Sequence, residues 1–341
     1  MTARPQAPSP KPQAPDGVLV VDKPEGPTSH DVVTLTRRVL GVSRIGHTGT
    51  LDPMATGVLP LVIGRATRLA QFLAASDKSY DATIEFGRTT DTYDARGREG
   101  SRCDIRPTRE QVDAALARFR GVFEQTPPAY SAKNIGGERA YELARKSARG
   151  AGSLDPALRP KPVTVTVRQL DLTSFDGDHA ALSMTVSAGF YVRSLAHDLG
   201  DALGCGGVLV ALRRTRSGEF GLDPSVPLAE VLQSKREDLA TRLVPMPKLL
   251  GGLPAVTLRG PANLERLQNG VEMGPDDLVA PLPSPAPVVR LLGPDGDLVG
   301  LARPAKTAGF LHGWVVLGSA LGLRQDVLGS ALGLRQDKDF E

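Results

Sequence analysis

"KSYDATIEFG", residues 78–87, alternates without a break. Tyr80, Ala82, Ile84 and Phe86 fall on one face, and Asp81, Thr83 and Glu85 on the other. Period two predicts a strand with one buried face. "KPVTVTVRQLDL" (161–172) and "HAALSMTVSA" (179–188) read as two more strands, and Val18–Val21 as a buried one. Helical spacing appears between them. Val32, Leu35, Val39 and Leu40 recur over Ser29–Leu40, and a second helix is expected at Ala66–Ala75. Val112, Ala115, Leu116 and Phe119 follow the capping pair Thr108/Gln111, with Gly121 as the stop. "GFYVRSLAHDLGDALG" (189–204) places Val192, Leu195, Leu199 and Leu203 on one side of a helix. Strands and helices mix without a regular βαβ repeat, which points to an α+β class with helices around a mainly antiparallel sheet.

The chain of 341 residues is long enough for two domains. Residues 1–16, with five prolines, read as a disordered tail. A large domain is expected over 17–250, ending in a proline-containing connection (223–250) with a short helix near Leu228–Leu232. Residues 255–317 read as a small β-rich domain with a helix at Pro261–Gln268. A tail, 318–341, carries most of a tandem repeat: "VLGSALGLRQD" at 316–326 recurs unchanged at 327–337. Two copies do not make a solenoid, and the repeat reads as a duplicated tail.

The net charge of +3 does not by itself imply nucleic-acid binding. The basic residues do group, as Arg37, Arg38 and Arg44, as Arg65 and Arg68, and as Arg213, Arg214 and Arg216. One such group is ordinarily a solvated face, so the groups matter only if the fold joins them. Cys103 and Cys205 stand far apart with no CxxC spacing, which argues against a disulfide framework or a zinc site and fits a reducing cytoplasm. No signal peptide and no apolar run of membrane-spanning length is visible.

One stretch fits neither period. "GHTGTLDPMATG", residues 46–57, holds three glycines, a proline and a single carboxylate, Asp52. Asp52-Pro53 could open a helix as N-cap and first residue. Alternatively, glycines on both sides shape a loop, Pro53 pushes Asp52 toward extended geometry, and the loop presents the carboxylate as a nucleophile or base. The stretch alone leaves both readings open.

The wider context carries a resemblance. "GHTGTLDPMATGVLPLVIGRAT" (46–67) closely resembles the catalytic loop of the tRNA pseudouridine-55 synthases, the TruB family. The likeness continues in "VVDKPEGPTS" (20–29), "SDKSYDATIEFGRTTDTYDARG" (76–97), "TPPAYSAKNIGGERAYELAR" (126–145), "SAGFYVRSLAHDLGDALGCGG" (187–207) and "LRRTRSGEF" (212–220). It spans about residues 17–250, and such an ordered run is far more specific than one motif. The resemblance implies a pseudouridine synthase fold, with a mixed, mainly antiparallel sheet and a central cleft, followed by a PUA-like RNA-binding domain over 255–317. It implies isomerisation of a T-loop uridine with no metal or organic cofactor. The expected partner is the tRNA T-arm stem-loop, bound by a cytoplasmic monomer that needs no membrane and no other protein. By position, Asp52 matches the catalytic aspartate, Tyr80 the tyrosine against the target uracil, and Arg193 the arginine paired with the aspartate. His47, Tyr191, Leu212 and Lys23 match substrate-binding or pocket positions, with Lys23 in a loop that supports the site and a candidate phosphate contact. Asp91 and Asp94 read as turn residues. Two other functions share these motifs: a guide-RNA-dependent pseudouridylase, and an RNA-folding factor with incidental catalysis. A glycoside hydrolase is disfavoured, because no second carboxylate motif stands out.

Overall fold

The computed structural model describes residues 15–130, 134–135, 138–139, 160–281 and 286–317. Residues 1–14, the repeat beyond Leu317 and most of the 126–145 motif lie outside the described residues. The chain divides into two compact units, Met1–Val244 and Pro245–Glu341.

The first unit begins with β1 (Gly17–Lys23), α1 (Ser29–Leu40), β2 (Ile45–His47) and β3 (Thr56–Ile63). The short α2 (Ala70–Ala74), β4 (Lys78–Phe86), β5 (Arg88–Thr90), β6 (Glu99–Arg102), α3 (Arg109–Leu116) and β7 (Gly121–Gln125) follow. After the hairpin β8 (Asn134–Ile135) and β9 (Glu138–Arg139) come β10 (Val163–Phe175), β11 (His179–Val186), α4 (Val192–Ala202) and β12 (Gly207–Ser217). The unit ends with β13 (Val226–Pro227), α5 (Leu228–Gln233) and α6 (Arg236–Thr241), and β14 (Val244–Pro245) marks the division.

The main sheet runs β13–β1–β3–β12–β4–β11–β10–β7, with β2 against β3. Pairing is parallel at β1–β13 and β3–β12, and antiparallel between the other neighbours along this path. On β4 the alternation holds: Ala82, Ile84 and Phe86 are buried, Tyr80 packs at the edge of the same core, and Asp81 faces out. Val192, Leu195 and Leu199 of α4 pack into that core, as do Val112 and Leu116 of α3. α1 is bounded by a Thr28/Asp31 capping box and by Gly41 in the left-handed region (φ 61°).

The sheet forks where the site will form. β3 and β12 pair only at Thr56–Arg213 and Gly57–Arg214. Upstream of these pairs β3 gives way to the loop 48–55. Leu209 of β12 instead bridges the 90–98 loop, donating to the Tyr93 carbonyl (3.0 Å) and accepting from Ala95 N–H (2.9 Å).

Several sequence expectations need correction. The Ala66–Ala75 helix is a 3₁₀ turn (Gly64–Leu69) followed by α2. Thr67 Oγ1 takes the Gly64 carbonyl (2.7 Å), which favours the tighter turn. α3 ends in a 3₁₀ turn at Phe119, and Gly121 (φ 79°) opens β7 instead of closing the helix. The 223–250 connection holds two helices, α5 and α6. The last residue assigned to the disordered tail, Asp16, is anchored: it accepts the Arg65 backbone N–H (2.7 Å) and pairs with its guanidinium.

In the second unit β15 (Ala255–Thr257) pairs parallel with β16 (Val289–Leu292), and β17 (Leu298–Pro304) and β18 (Leu311–Val316) continue the sheet antiparallel. α7 (Pro261–Gln268) adds Leu267 to a core of Val256, Leu258, Met273, Leu278, Leu291 and Leu311. Buried Asp277 accepts from Asn263 Nδ2 (2.6 Å), Gly274 N–H (2.9 Å) and Arg266, closing the turn before β16.

Candidate active site

Asp52 lies in the fork, on a turn closed by Ala55 N–H to its own carbonyl (3.0 Å). No helix follows, so the helix-cap reading fails and the shaped-loop reading stands. The backbone on either side of Asp52 is clamped. Ser29 Oγ, at the start of α1, accepts from Leu51 N–H (2.8 Å) and lies 3.2 Å from its carbonyl. The Pro53 carbonyl accepts from Gly26 N–H (2.8 Å) and, more weakly, from Lys23 Nζ (3.4 Å). Leu51, Met54 and Ala55 are buried, whereas the Asp52 side chain is 32% exposed. Fixed apolar neighbours thus leave one carboxylate pointing out of a rigid loop.

Arg193 meets that carboxylate in the two-pronged geometry that suits a guanidinium. Nε lies 2.8 Å from Oδ2, and Nη2 lies 3.1 Å from Oδ1. The arginine itself is buried, and it also donates to the carbonyls of Thr92 (3.2 Å) and Tyr130 (3.0 Å). Its place on α4 is set by residues that the sequence reading did not single out. Gln125 grips the Tyr191 backbone at both N–H (2.8 Å) and C=O (3.0 Å), and Ser194 Oγ donates to the Thr126 carbonyl (2.8 Å). The solvent-facing alternative for Arg193 is therefore excluded.

The other sequence candidates take distinct places. Leu212 points inward from β12, and with Met54, Thr56, Asp81, Thr83 and Ala181 it lines a cavity of about 320 Å³; Asp52, Tyr80 and Arg193 are not among the residues that line it. Tyr80 stands opposite Arg214 of β12, which in turn stands opposite Gly57 of β3. Tyr191 is half-buried immediately before α4. His47 is half-buried at the start of the loop. Its Nδ1 accepts the Gly49 N–H (3.3 Å), and burial, reinforced by Arg214 and His30, lowers its pKa. Lys23 requires correction as a phosphate contact. It is fully buried, and its ammonium is spent on the carbonyls of Pro24 (2.9 Å), Pro27 (2.8 Å) and Pro53. Burial, aided by Arg96 and opposed by Asp52, lowers its pKa to about 8. It is a clamp on the loops around Asp52.

The third arginine group does not form one solvated face. Arg213 pairs with Asp22 (2.8 Å), Arg216 is exposed and donates to the Gly218 carbonyl, and Arg214 is buried. Period two could have found Arg214, because it shares the inward face with Leu212. Among the described residues no group of His, Cys, Asp and Glu could hold a metal ion, and no helix is long and apolar enough to cross a membrane.

Residues 37–192 match the TruB family pseudouridylate synthase N-terminal domain, and residues 193–251 match the tRNA pseudouridylate synthase B C-terminal domain. The tRNA pseudouridine synthase B of Solibacter usitatus is 50% identical over 243 residues, 71% of this chain and 80% of that protein. That of Aromatoleum aromaticum is 41% identical over 288 residues, 84% and 88% of the two chains. Among solved structures, a chain of a Cbf5–Nop10–Gar1 complex superposes with a TM-score of 0.67 at 25% identity, covering 89% of this chain and 85% of that one. A chain of an H/ACA RNP bound to a substrate RNA containing 2'-deoxyuridine gives 0.65 at 25% identity, with 91% and 86% covered. The architecture is the pseudouridine synthase fold. The chain belongs to the TruB family of pseudouridylate synthases.

Proposed function

We propose that the chain isomerises uridine 55 in the T loop of tRNA to pseudouridine, with Asp52 as the reacting carboxylate. The observation that carries this reading is the setting of Asp52. In a chain of this family, it is an acid with a third of its side chain exposed, on a clamped loop, held two-pronged by a buried arginine. The N1–C1′ bond breaks, the uracil turns, and a C5–C1′ bond forms. The C5 proton leaves and N1 gains one, so atoms and electrons balance within the nucleotide and nothing is oxidised. A small anion fixed at the ribose–uracil junction supplies the attack on carbon or the proton removal. A uracil stacked inside a folded loop hides C1′ and C6, so the nucleotide is flipped out, at a cost of a few kcal/mol in lost stacking.

In this reading Tyr80 and Leu212 wall the pocket, Tyr191 lines it, and Arg193 aims Asp52. His47 fills the place that the base leaves. Arginines on phosphates offset the cost of extrusion. The second unit serves as a PUA-like RNA-binding domain. The enzyme works in the cytoplasm as a monomer, without a metal, a cofactor or an obligatory protein partner.

The test is a site-resolved pseudouridine map of unmodified tRNA transcript treated with the purified protein. One modified T-loop uridine, absent with Asp52→Asn, is the expected result. The likeness to chains of H/ACA assemblies raises a second reading, guide-dependent modification. Activity only after guide RNA and partner proteins are added would favour that reading.

A further inference from the structure

We propose that Arg214 is a positioning residue that staples the two ends of the Asp52 loop to the strand opposite Tyr80. The inference rests on the reading of Asp52 as the reacting carboxylate. Arg214 is 1% exposed, yet its guanidinium pairs with no carboxylate of the described residues. Buried arginines are ordinarily held by an acid. Here the charge is spent on two backbone acceptors: Nε donates to the Val58 carbonyl (2.7 Å) and Nη2 to the Gly49 carbonyl (3.1 Å). Those carbonyls bracket the loop, one three residues before Asp52 and the other six after it.

The backbone of Arg214 is engaged as closely as its side chain. A Cβ at Gly57 would come within 2.2 Å of the Arg214 carbonyl oxygen, and Gly57 has φ 101°. The same residue faces Tyr80 across β4–β12. One planar group of fixed fork geometry therefore sets the loop that carries Asp52 against the strand that carries Tyr80. A lysine keeps the charge but is a point donor on a flexible stem, so it cannot reproduce that fork.

The test is Arg214→Lys, followed by hydrogen exchange and single-turnover kinetics on saturating tRNA. We expect amides of residues 48–57 to exchange about tenfold faster while β4 and β11 keep the parent's protection. The rate at saturation should fall by about a hundredfold, the scale of a small misplacement of a reacting group. The tRNA Kd should stay within about threefold of the parent. Loss of protection throughout the sheet overturns the proposal, as does a loosened loop with an unchanged rate, or a weakened Kd with an unchanged rate. If Arg214→Lys does not fold, Gly57→Ala, which presses on the same joint from the loop side, takes its place. Failure of both to fold makes Arg214 a residue of the fold alone and also overturns the proposal. Should Asp52→Asn retain full activity, the catalytic reading falls, while the exchange measurement still decides whether the staple exists.

Discussion

Two loops meet at Arg193, and each brings it a carboxylate. Asp52 comes from the loop before β3 and pairs two-pronged at 2.8 and 3.1 Å. Asp94 comes from the 90–98 loop and stands 3.8 Å away. The difference lies in what else each acid does. Asp94 is buried, and its Oδ1 accepts from Thr92 Oγ1 (2.8 Å) and Arg96 N–H (3.0 Å). Its loop is knotted by Thr90 Oγ1 on the Asp94 carbonyl (2.7 Å) and by the Tyr93 ring stacked on His197 of α4 at 3.9 Å. The Asp52 carboxylate has no donor but Arg193 among the described residues, and a third of its side chain is exposed. Each carboxylate accepts two hydrogen bonds, but those of Asp94 come from its own loop and it is buried, so it organises a turn. Those of Asp52 come from Arg193 alone, and its exposed part can meet carbon or a proton. The guanidinium between them is the hinge of this arrangement.

The largest effect should therefore come from Asp52→Asn. The change removes the charge and hardly any volume. Single-turnover isomerisation should drop to background while tRNA affinity stays close to the parent's. Parental turnover in the variant would abolish the distinction between the loops. Next is Arg193→Met, which keeps much of the stem but removes both bonds to Asp52. A loss of about a hundred- to a thousandfold at saturating tRNA is expected, as for other groups that orient or stabilise a reacting centre. A rate within threefold of the parent would show that the loop clamps alone aim Asp52. Asp94→Asn should cost only about threefold to tenfold, because the amide oxygen can still accept from Thr92 and Arg96, and Arg193 keeps its two bonds to Asp52 when the 3.8 Å contact loses its charge. A loss matching that of Asp52→Asn would erase the comparison.

The sequence revealed these two loops unequally. β4 announced itself by alternation, α1 by the helical spacing of its apolar residues and α3 by its capping pair, because those signals are local. The oddity of residues 46–57 was equally local, and it singled out Asp52. What could not be read was any device built from residues far apart in the chain. Gln125 on the Tyr191 backbone joins residues 66 apart, Arg214 on Gly49 joins residues 165 apart, and Ser29 on Leu51 is no easier to infer. Lys23, a candidate phosphate contact in a loop that supports the site, falls partly under the same limit. Two of the carbonyls around its ammonium are local, Pro24 and Pro27, but only the fold brings up Pro53, 30 residues away, and buries the side chain. Motif resemblance supplied candidate residues, and the long-range hydrogen bonds show how the chain places them.

The smallest effect concerns acid, and it separates the loops by a different route. His47 opens the Asp52 loop, and its Nδ1 must be unprotonated to accept the Gly49 N–H. Burial first, then Arg214 and His30, hold its pKa below the ordinary histidine value. In the unfolded chain His47 regains a pKa near about 6.5. As pH falls below that value the unfolded state takes up a proton that the folded state refuses, so stability declines. The contribution is complete above the unfolded pKa and is lost as pH falls through the folded one, with a slope of at most about 1.4 kcal/mol per pH unit. His47→Gln removes this titration but leaves the other histidines in place. Melting curves of parent and variant between about pH 7.5 and 5 should therefore converge or cross on acidification, with the parent losing more. Hydrogen exchange should show the parent's acid-sensitive opening in residues 47–57, and His47→Gln should suppress it there while leaving the response of 90–98, whose Tyr93 stacks on His197, as in the parent. Parallel melting curves would show that His47 carries no such linkage, and the Asp52 loop would then be no more acid-sensitive than its neighbour.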